Sequence, residues 1–194
     1  MILRIGVVGP ESSGKTTLVD HLARWLSERG VEVEVVAEQG RALAHQLPAG
    51  HPWSYREQVA TSRLHRGARA AAEVVLAARA DGAVLICDGT CATPLVWHVC
   101  ASRNRPGYEL GPPEVTEELL AAVVEDTYDL LLLTAADIPW VPDGIRDDPD
   151  GRPAAFEEYR MLLPDAVVIE GPDRLAAAEE VVSDLLRMPS DLPG

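Results

Sequence analysis

The sequence predicts an α/β protein, a three-layer α/β/α fold in which helices cover both faces of a five-stranded parallel sheet. Three observations carry this. An apolar run, Ile2 to Val8, leads into a glycine-rich turn and then into a segment with Leu18, Leu22 and Leu26 on one stripe. Further short apolar runs alternate with longer helix-patterned segments, as right-handed crossovers between parallel strands require. A length of 194 residues with 47% hydrophobic content suits one domain with a sheet buried on both faces.

Taken in order, residues 2–8 read as a central parallel strand, followed by a helix that Gly30 ends as a left-handed cap. Val31 to Ala37 alternates valine with glutamate before turning apolar, which predicts a strand nearer the sheet edge. Ser54 to Ala80, rich in Ala, Arg and Glu and free of proline, predicts one long helix. Ala83 to Cys87 is a short buried strand ending in Asp88, and Pro94 to Ser102 starts another helix. Arg103 to Pro113 is a proline- and glycine-rich loop, Glu114 to Asp126 a helix, and Leu130 to Leu133 the fourth strand. Ile138 to Pro153 carries four prolines, two glycines and six charges, too polar for core. A loop that long inside a compact domain is usually functional, and we read about 138–153 as a lid. Ala154 to Leu163 is helical and Ala166 to Glu170 is the fifth strand. Asp173 caps a last helix whose Leu175, Ala178, Val182 and Leu185 face the sheet. Residues 1–188 thus form a single domain and 189–194 a frayed tail.

Composition narrows the function. Asp plus Glu number 31 against 17 Lys plus Arg, a net charge of −14 that repels nucleic acid and anionic membranes, so neither is an expected partner. No apolar run reaches the roughly 18–20 residues a membrane span needs. The opening residues read as a strand rather than a charged segment with a cleavage site, so no signal peptide is expected. Cys87, Cys91 and Cys100 are odd in number and lack metal or disulfide spacing, which predicts reduced thiols and a cytoplasmic protein. Small-molecule chemistry is what remains, and association into a homo-oligomer is compatible with it.

The strongest motif is Gly9-Pro10-Glu11-Ser12-Ser13-Gly14-Lys15-Thr16-Thr17. Placed between a strand and a helix, G-x-x-x-x-G-K-[ST] predicts a P-loop whose backbone N–H groups point into one anion-sized nest. The helix that follows adds its positive end. Lys15 is expected to reach the β- and γ-phosphates of ATP, and Thr16 to ligate Mg²⁺.

Other polar residues fall at the carboxyl ends of the expected strands, where such sheets bind ligands. Asp88, after four apolar residues, fits a Walker B aspartate holding Mg²⁺, or a helix cap, or both. Glu38 can accept a proton from a substrate hydroxyl and orient a ribose; Arg41 can pair with it or reach the transferred phosphate. Arg146 and Arg152 in the lid can close over the γ-phosphate and exclude water. Trp140, Trp53, Tyr55 and Trp97 are core or base-stacking residues, with neither role favoured. His21, His65 and His98 stand at no ligand spacing and read as surface or satisfied core.

The loop at 9–18, the Glu38-x-x-Arg41 element, Asp88 and above all Pro139-Trp140-Val141-Pro142-Asp143-Gly144-Ile145-Arg146 resemble the ribosylnicotinamide kinase domain of NadR-type proteins. The order and spacing agree from Leu3 to the last helix. The resemblance implies a P-loop kinase fold and transfer of the ATP γ-phosphate to the 5′-hydroxyl of nicotinamide riboside. By position, Lys15 and Thr16 would handle phosphate and metal, Asp88 the Walker B role and Arg146 the lid, with Glu38 and Arg41 near the acceptor. The chain departs from the family at three points: Thr90 replaces a second acid after the third strand, Ala37 an aromatic, and His65, by count, a glutamine of the long helix. The alternatives are a kinase for another nucleoside or related metabolite, and a non-catalytic ATP-binding regulatory module.

Overall fold

The computed structural model describes residues 1–79, 82–141 and 148–187. In chain order its elements are β1 (Ile2–Val8), α1 (Lys15–Ser27), β2 (Val33–Val36), α2 (Gln39–Ala44), α3 (Tyr55–Arg79), β3 (Ala83–Asp88), α4 (Ala92–Asn104), α5 (Glu114–Glu125), β4 (Leu130–Thr134), α6 (Arg152–Leu162), β5 (Val167–Ile169) and α7 (Arg174–Arg187). Every strand pairing is parallel and the order is β2-β3-β1-β4-β5, the five-stranded sheet the sequence predicts.

Burial follows the pattern read from the residues. β3 is buried along its whole length and β1 and β4 over their second halves, whereas the edge strands β2 and β5 are each buried at a single residue. On one face Leu18, Leu22 and Leu26 of α1 and Ala178 and Val182 of α7 pack on Ile5, Val7, Val84, Ile86 and Leu132. The opposite face is covered by Ala72 and Leu76 of α3, and by Val96 of α4 and Tyr159 of α6 around Val8 and Leu133.

Several limits differ from the sequence reading, α6 among them, which starts at Arg152 within the stretch read as a lid; two differences have clear physical reasons. The six-residue helix α2 was not expected: none of its residues is buried, so no apolar stripe announces it. Helix α4 begins two residues before Pro94, because a proline in the first turn removes only an N–H that would lack an acceptor. The expected tail at 189–194 lies outside the described residues.

Helix α3 is strapped to α5 and its C-cap by three ion pairs, two exposed and one shielded. Arg63–Glu118 (2.7 Å) and Arg66–Glu125 (2.6 Å) are exposed, and Arg69–Asp126 is buried. Asp126 also accepts from the Cys91 N–H at 2.8 Å and the Tyr128 hydroxyl at 3.1 Å, and lies 3.4 Å from His65 Nε2. Burial alone would raise this carboxyl, but His65, the Cys91 N–H and Arg69 outweigh it and hold it down at about 2. Its folded-state value is thus below its unfolded one. The stabilisation, roughly 2 kcal/mol, is present above about pH 4 and lost as pH falls toward 2. Asp126→Asn should therefore lower unfolding free energy at pH 7 by about 2 kcal/mol or more and flatten the stability slope between about pH 4 and 2. Urea melts across that range check both.

Candidate active site

The register of β1 and β3 sets the site. Val7 lies opposite Asp88, and Gly89 N–H donates to the Val7 carbonyl at 2.8 Å, so the end of β3 abuts the turn that leaves β1. That turn passes through two left-handed residues, Ser12 (φ 52°) and Gly14 (φ 86°). Gly14 tolerates this at no steric cost; Ser12 does not, and is held by its packing. Its Oγ accepts the Val141 N–H at 2.9 Å, while Ser13 Oγ bonds Thr134 Oγ1 at 2.6 Å and the Pro10 carbonyl at 2.8 Å. These bonds fix the shape of the loop.

Gly14 is the N-cap of α1, with no side-chain cap bond and no acid in the first turn. The N–H groups of that turn have no acceptor within the helix, so they remain available to an anion. Lys15 is buried, and its ammonium donates to the carbonyls of Gly9 at 2.9 Å and Pro10 at 2.8 Å. Thr16 Oγ1 donates to Asp88 Oδ2 at 2.6 Å. A hydroxyl and a carboxylate beside an open helix N-terminus and a buried ammonium fit a nucleoside triphosphate with Mg²⁺, the hard oxygen ligands that ion takes. Thr17 is exposed on the same turn.

Two cavities meet beside this loop. The smaller, about 280 Å³, includes Gly9, Pro10, Glu11, Lys15, Glu38, Asp148 and Arg152 in its wall. The larger, about 680 Å³, is walled by Arg41, Trp53, Gln58, Thr61 and Tyr108 among others. Glu11, Glu38, Thr93, Trp97 and Arg105 line both, so they form a neck between them. Glu38, two residues past β2, caps α2 in extended backbone, its Oε2 3.8 Å from Arg41 Nε and its Cγ near Gly89 just after Asp88. Trp53 and Trp97 stand 6.1 Å apart at the larger cavity, with Tyr108 edge-on to Trp97 at 6.0 Å. Of the aromatics left open by the sequence, Trp53 and Trp97 thus face a cavity. Tyr55 instead packs against the Leu95–Val115–Leu119 cluster.

Arg152, the first residue of α6, is buried against the loop. Its guanidinium donates to the carbonyls of Ser12 at 3.1 Å and Ile138 at 3.0 Å and lies 5.9 Å from the Trp140 ring. Burial pulls its pKa down, with Asp137 opposing. Arg146 lies outside the described residues. Arg174 went unnoticed in the sequence reading, yet it donates to Ser13 O at 3.0 Å and Gly171 O at 3.2 Å and pairs with Asp137. The signal was present: a cation opening a helix opposes the helix dipole and so needs another reason.

The departures from the family pattern sort themselves by place. Thr90 does not line either cavity; its Oγ1 accepts from Ala92 N at 3.0 Å at the start of α4. His65 is buried in the Asp126 network, bonded to Tyr128 Oη at 2.9 Å, and the glutamine of α3 that meets the cavity is Gln58. The two histidines His21 and His98 are likewise satisfied, by Glu179 at 2.6 Å and Tyr108 at 2.9 Å. Burial lowers the pKa of His98 and raises Cys87 and Cys91 to about 12 and Cys100 to about 11, leaving neutral, free thiols. Among the described residues one metal-type grouping occurs, His65, Cys91 and Asp126, but Arg69 already supplies the cation there.

Comparison with known proteins adds the following. The profile of a family described as AAA domain matches residues 4–167. A thymidylate kinase of Anoxybacillus flavithermus (strain DSM 21510 / WK1) is 40% identical over 86 residues, 41% of this chain and 41% of that protein. A crystal structure of NadR protein in complex with NAD and AMP-PNP superposes with a TM-score of 0.68 at 17% identity, covering 98% of this chain and 51% of that one. A second, in complex with NR, gives 0.69 at 18% identity over 99% and 53%. The chain spans about half the length of these NadR structures, and the likeness establishes the three-layer fold.

Removing Arg174 leaves the Ser13 carbonyl and Asp137 short of a donor. Arg174→Ala should cost about 1–3 kcal/mol of unfolding free energy, the scale of a lost charged hydrogen bond. A urea midpoint unchanged from the parent would show that the contact carries no stability.

Proposed function

We propose that this chain, which belongs to the AAA domain family, is an ATP-dependent phosphotransferase that moves the γ-phosphate of ATP to the 5′-hydroxyl of a nucleoside. Nicotinamide riboside is the favoured acceptor, giving nicotinamide mononucleotide. The observation that carries this reading is the continuous groove in which Lys15 and Glu38 share one cavity and Glu38 also reaches the aromatic-walled one. A proton acceptor sited between a phosphate nest and an aromatic-lined chamber is what transfer to an alcohol needs.

In this mechanism the first-turn N–H groups of α1 and Lys15 hold the phosphates; Thr16 and Asp88 are the residues that would hold Mg²⁺, which would supply charge neutralisation there. Lys15 leaves the carbonyls of Gly9 and Pro10 for phosphate oxygens. Glu38 takes the proton of the acceptor hydroxyl as that hydroxyl's oxygen bonds to the γ-phosphorus, while the bond from the γ-phosphorus to the β,γ-bridging oxygen breaks and ADP leaves. Arg41, beside Glu38, balances the second carboxylate oxygen. Arg152 holds the loop against the base of the lid and keeps water from the transferring group. Trp53, Trp97 and Tyr108 line the chamber offered to the base, and a pyridinium suits aromatic surroundings. The NadR complex with NR and the partial likeness to a thymidylate kinase support a nucleoside or nucleotide acceptor.

Coupled ADP release over a panel of nucleosides, nicotinamide riboside included, tests the proposal. Turnover with nicotinamide riboside is expected. Turnover only with another compound moves the acceptor assignment, and none with any acceptor leaves a nucleotide-binding module. Lys15→Ala should abolish turnover, because it removes the buried ammonium beside the phosphate loop. Glu38→Gln should lower kcat by roughly 10²-fold or more, the scale of general-base catalysis. A change confined to KM would make Glu38 a binding residue only.

A further inference from the structure

We infer that Glu11, although embedded in the phosphate loop, serves the acceptor: its carboxylate takes a sugar hydroxyl of the nucleoside and sets the sugar at the neck between the two cavities. This rests on the kinase reading above and names the group that recognises the sugar.

A carboxylate in a loop built to hold phosphates is out of place on the nucleotide side, where like charge is repelled. The loop resolves this by direction. Ser12 and Ser13 turn their hydroxyls to Val141 N and Thr134, and Lys15 turns its ammonium back to Gly9 and Pro10. Glu11 instead reaches α4, where its Oε1 accepts the Trp97 indole N–H at 3.3 Å. It therefore lines both cavities, as Glu38 does from just past β2.

The neck thus presents two carboxylates, the Thr93 hydroxyl, the Trp97 ring and Arg105, whose guanidinium stands 5.1 Å from that ring. A sugar is a set of hydroxyl donors between a ring-shaped base and a reacting oxygen. Carboxylates accept such hydroxyls in strong, charge-assisted bonds. With the base against Trp53 and Trp97 and the reacting hydroxyl at Glu38, the remaining hydroxyls fall to Glu11. The indole bond sets the carboxylate's orientation before the acceptor arrives, so little rotamer freedom is lost on binding.

The test compares the full chain with Glu11→Gln, which keeps an acceptor for the indole but removes the charge. The acceptors are nicotinamide riboside, cytidine and uridine, each beside its 2′-deoxy form. For whichever nucleoside is turned over, Glu11→Gln should raise acceptor KM about tenfold while ATP KM stays within about twofold. The deoxy penalty on kcat/KM in the parent should shrink to under about threefold in the variant. Glu11→Ala should show the same pattern more strongly, and its urea midpoint reports whether the fold is intact. A rise in ATP KM as large as that for the acceptor, or an unchanged deoxy penalty, overturns the assignment of Glu11 alone. A folded, ATP-binding parent that phosphorylates no nucleoside overturns the kinase reading and this inference together.

Discussion

The molecule is organised around a buried ammonium. Lys15 sits at the first position of α1, at the positive end of the helix, and is satisfied by carbonyls of the loop it belongs to. A cation at a helix N-terminus is electrostatically unfavourable and a buried one is costly without partners. The turn must therefore present its carbonyls inward, which requires the left-handed Ser12 and Gly14. That in turn requires a rigid central strand before it and a packed helix after it. Much of the architecture can be read as support for this one arrangement: Val7 and Val8 have no exposure, and Leu18 and Leu22 pin the helix to the sheet.

How far the sequence revealed this follows from where the physics is local. The central strands, α1 and α7 were legible because burial on the sheet imposes a periodic apolar pattern, and Gly14 because few other residues adopt its conformation cheaply. The P-loop was legible because its residues are contiguous. Arg174 was not, because its partners Ser13 and Asp137 are distant in sequence and only the crossover of α7 brings them together. The short helix α2 was hidden by its exposure. Counting along α3 placed the family's glutamine at His65, but the helix turns that position into the Asp126 network and offers Gln58 to the cavity.

Charge is distributed with the same logic. The chain is acidic by 14 units, yet Lys15, Arg41, Arg105 and Arg152 gather along one groove. Each is met by a carboxylate, a carbonyl or a ring close by, so the groove carries both signs in alternation. Phosphate is drawn in by a few focused donors, while the acidic exterior discourages long polyanions.

The strap between α3 and α5 has a bearing on ionic conditions. Its outer rungs sit in water, where counterions compete with each partner and the attraction fades over the Debye length. The inner rung, closed off with Tyr128 and Cys91 around it, is shielded from that competition. Moving from dilute to concentrated electrolyte would then loosen the rim of the helical layer while its innermost anchor holds, a graded response built from residues one turn apart.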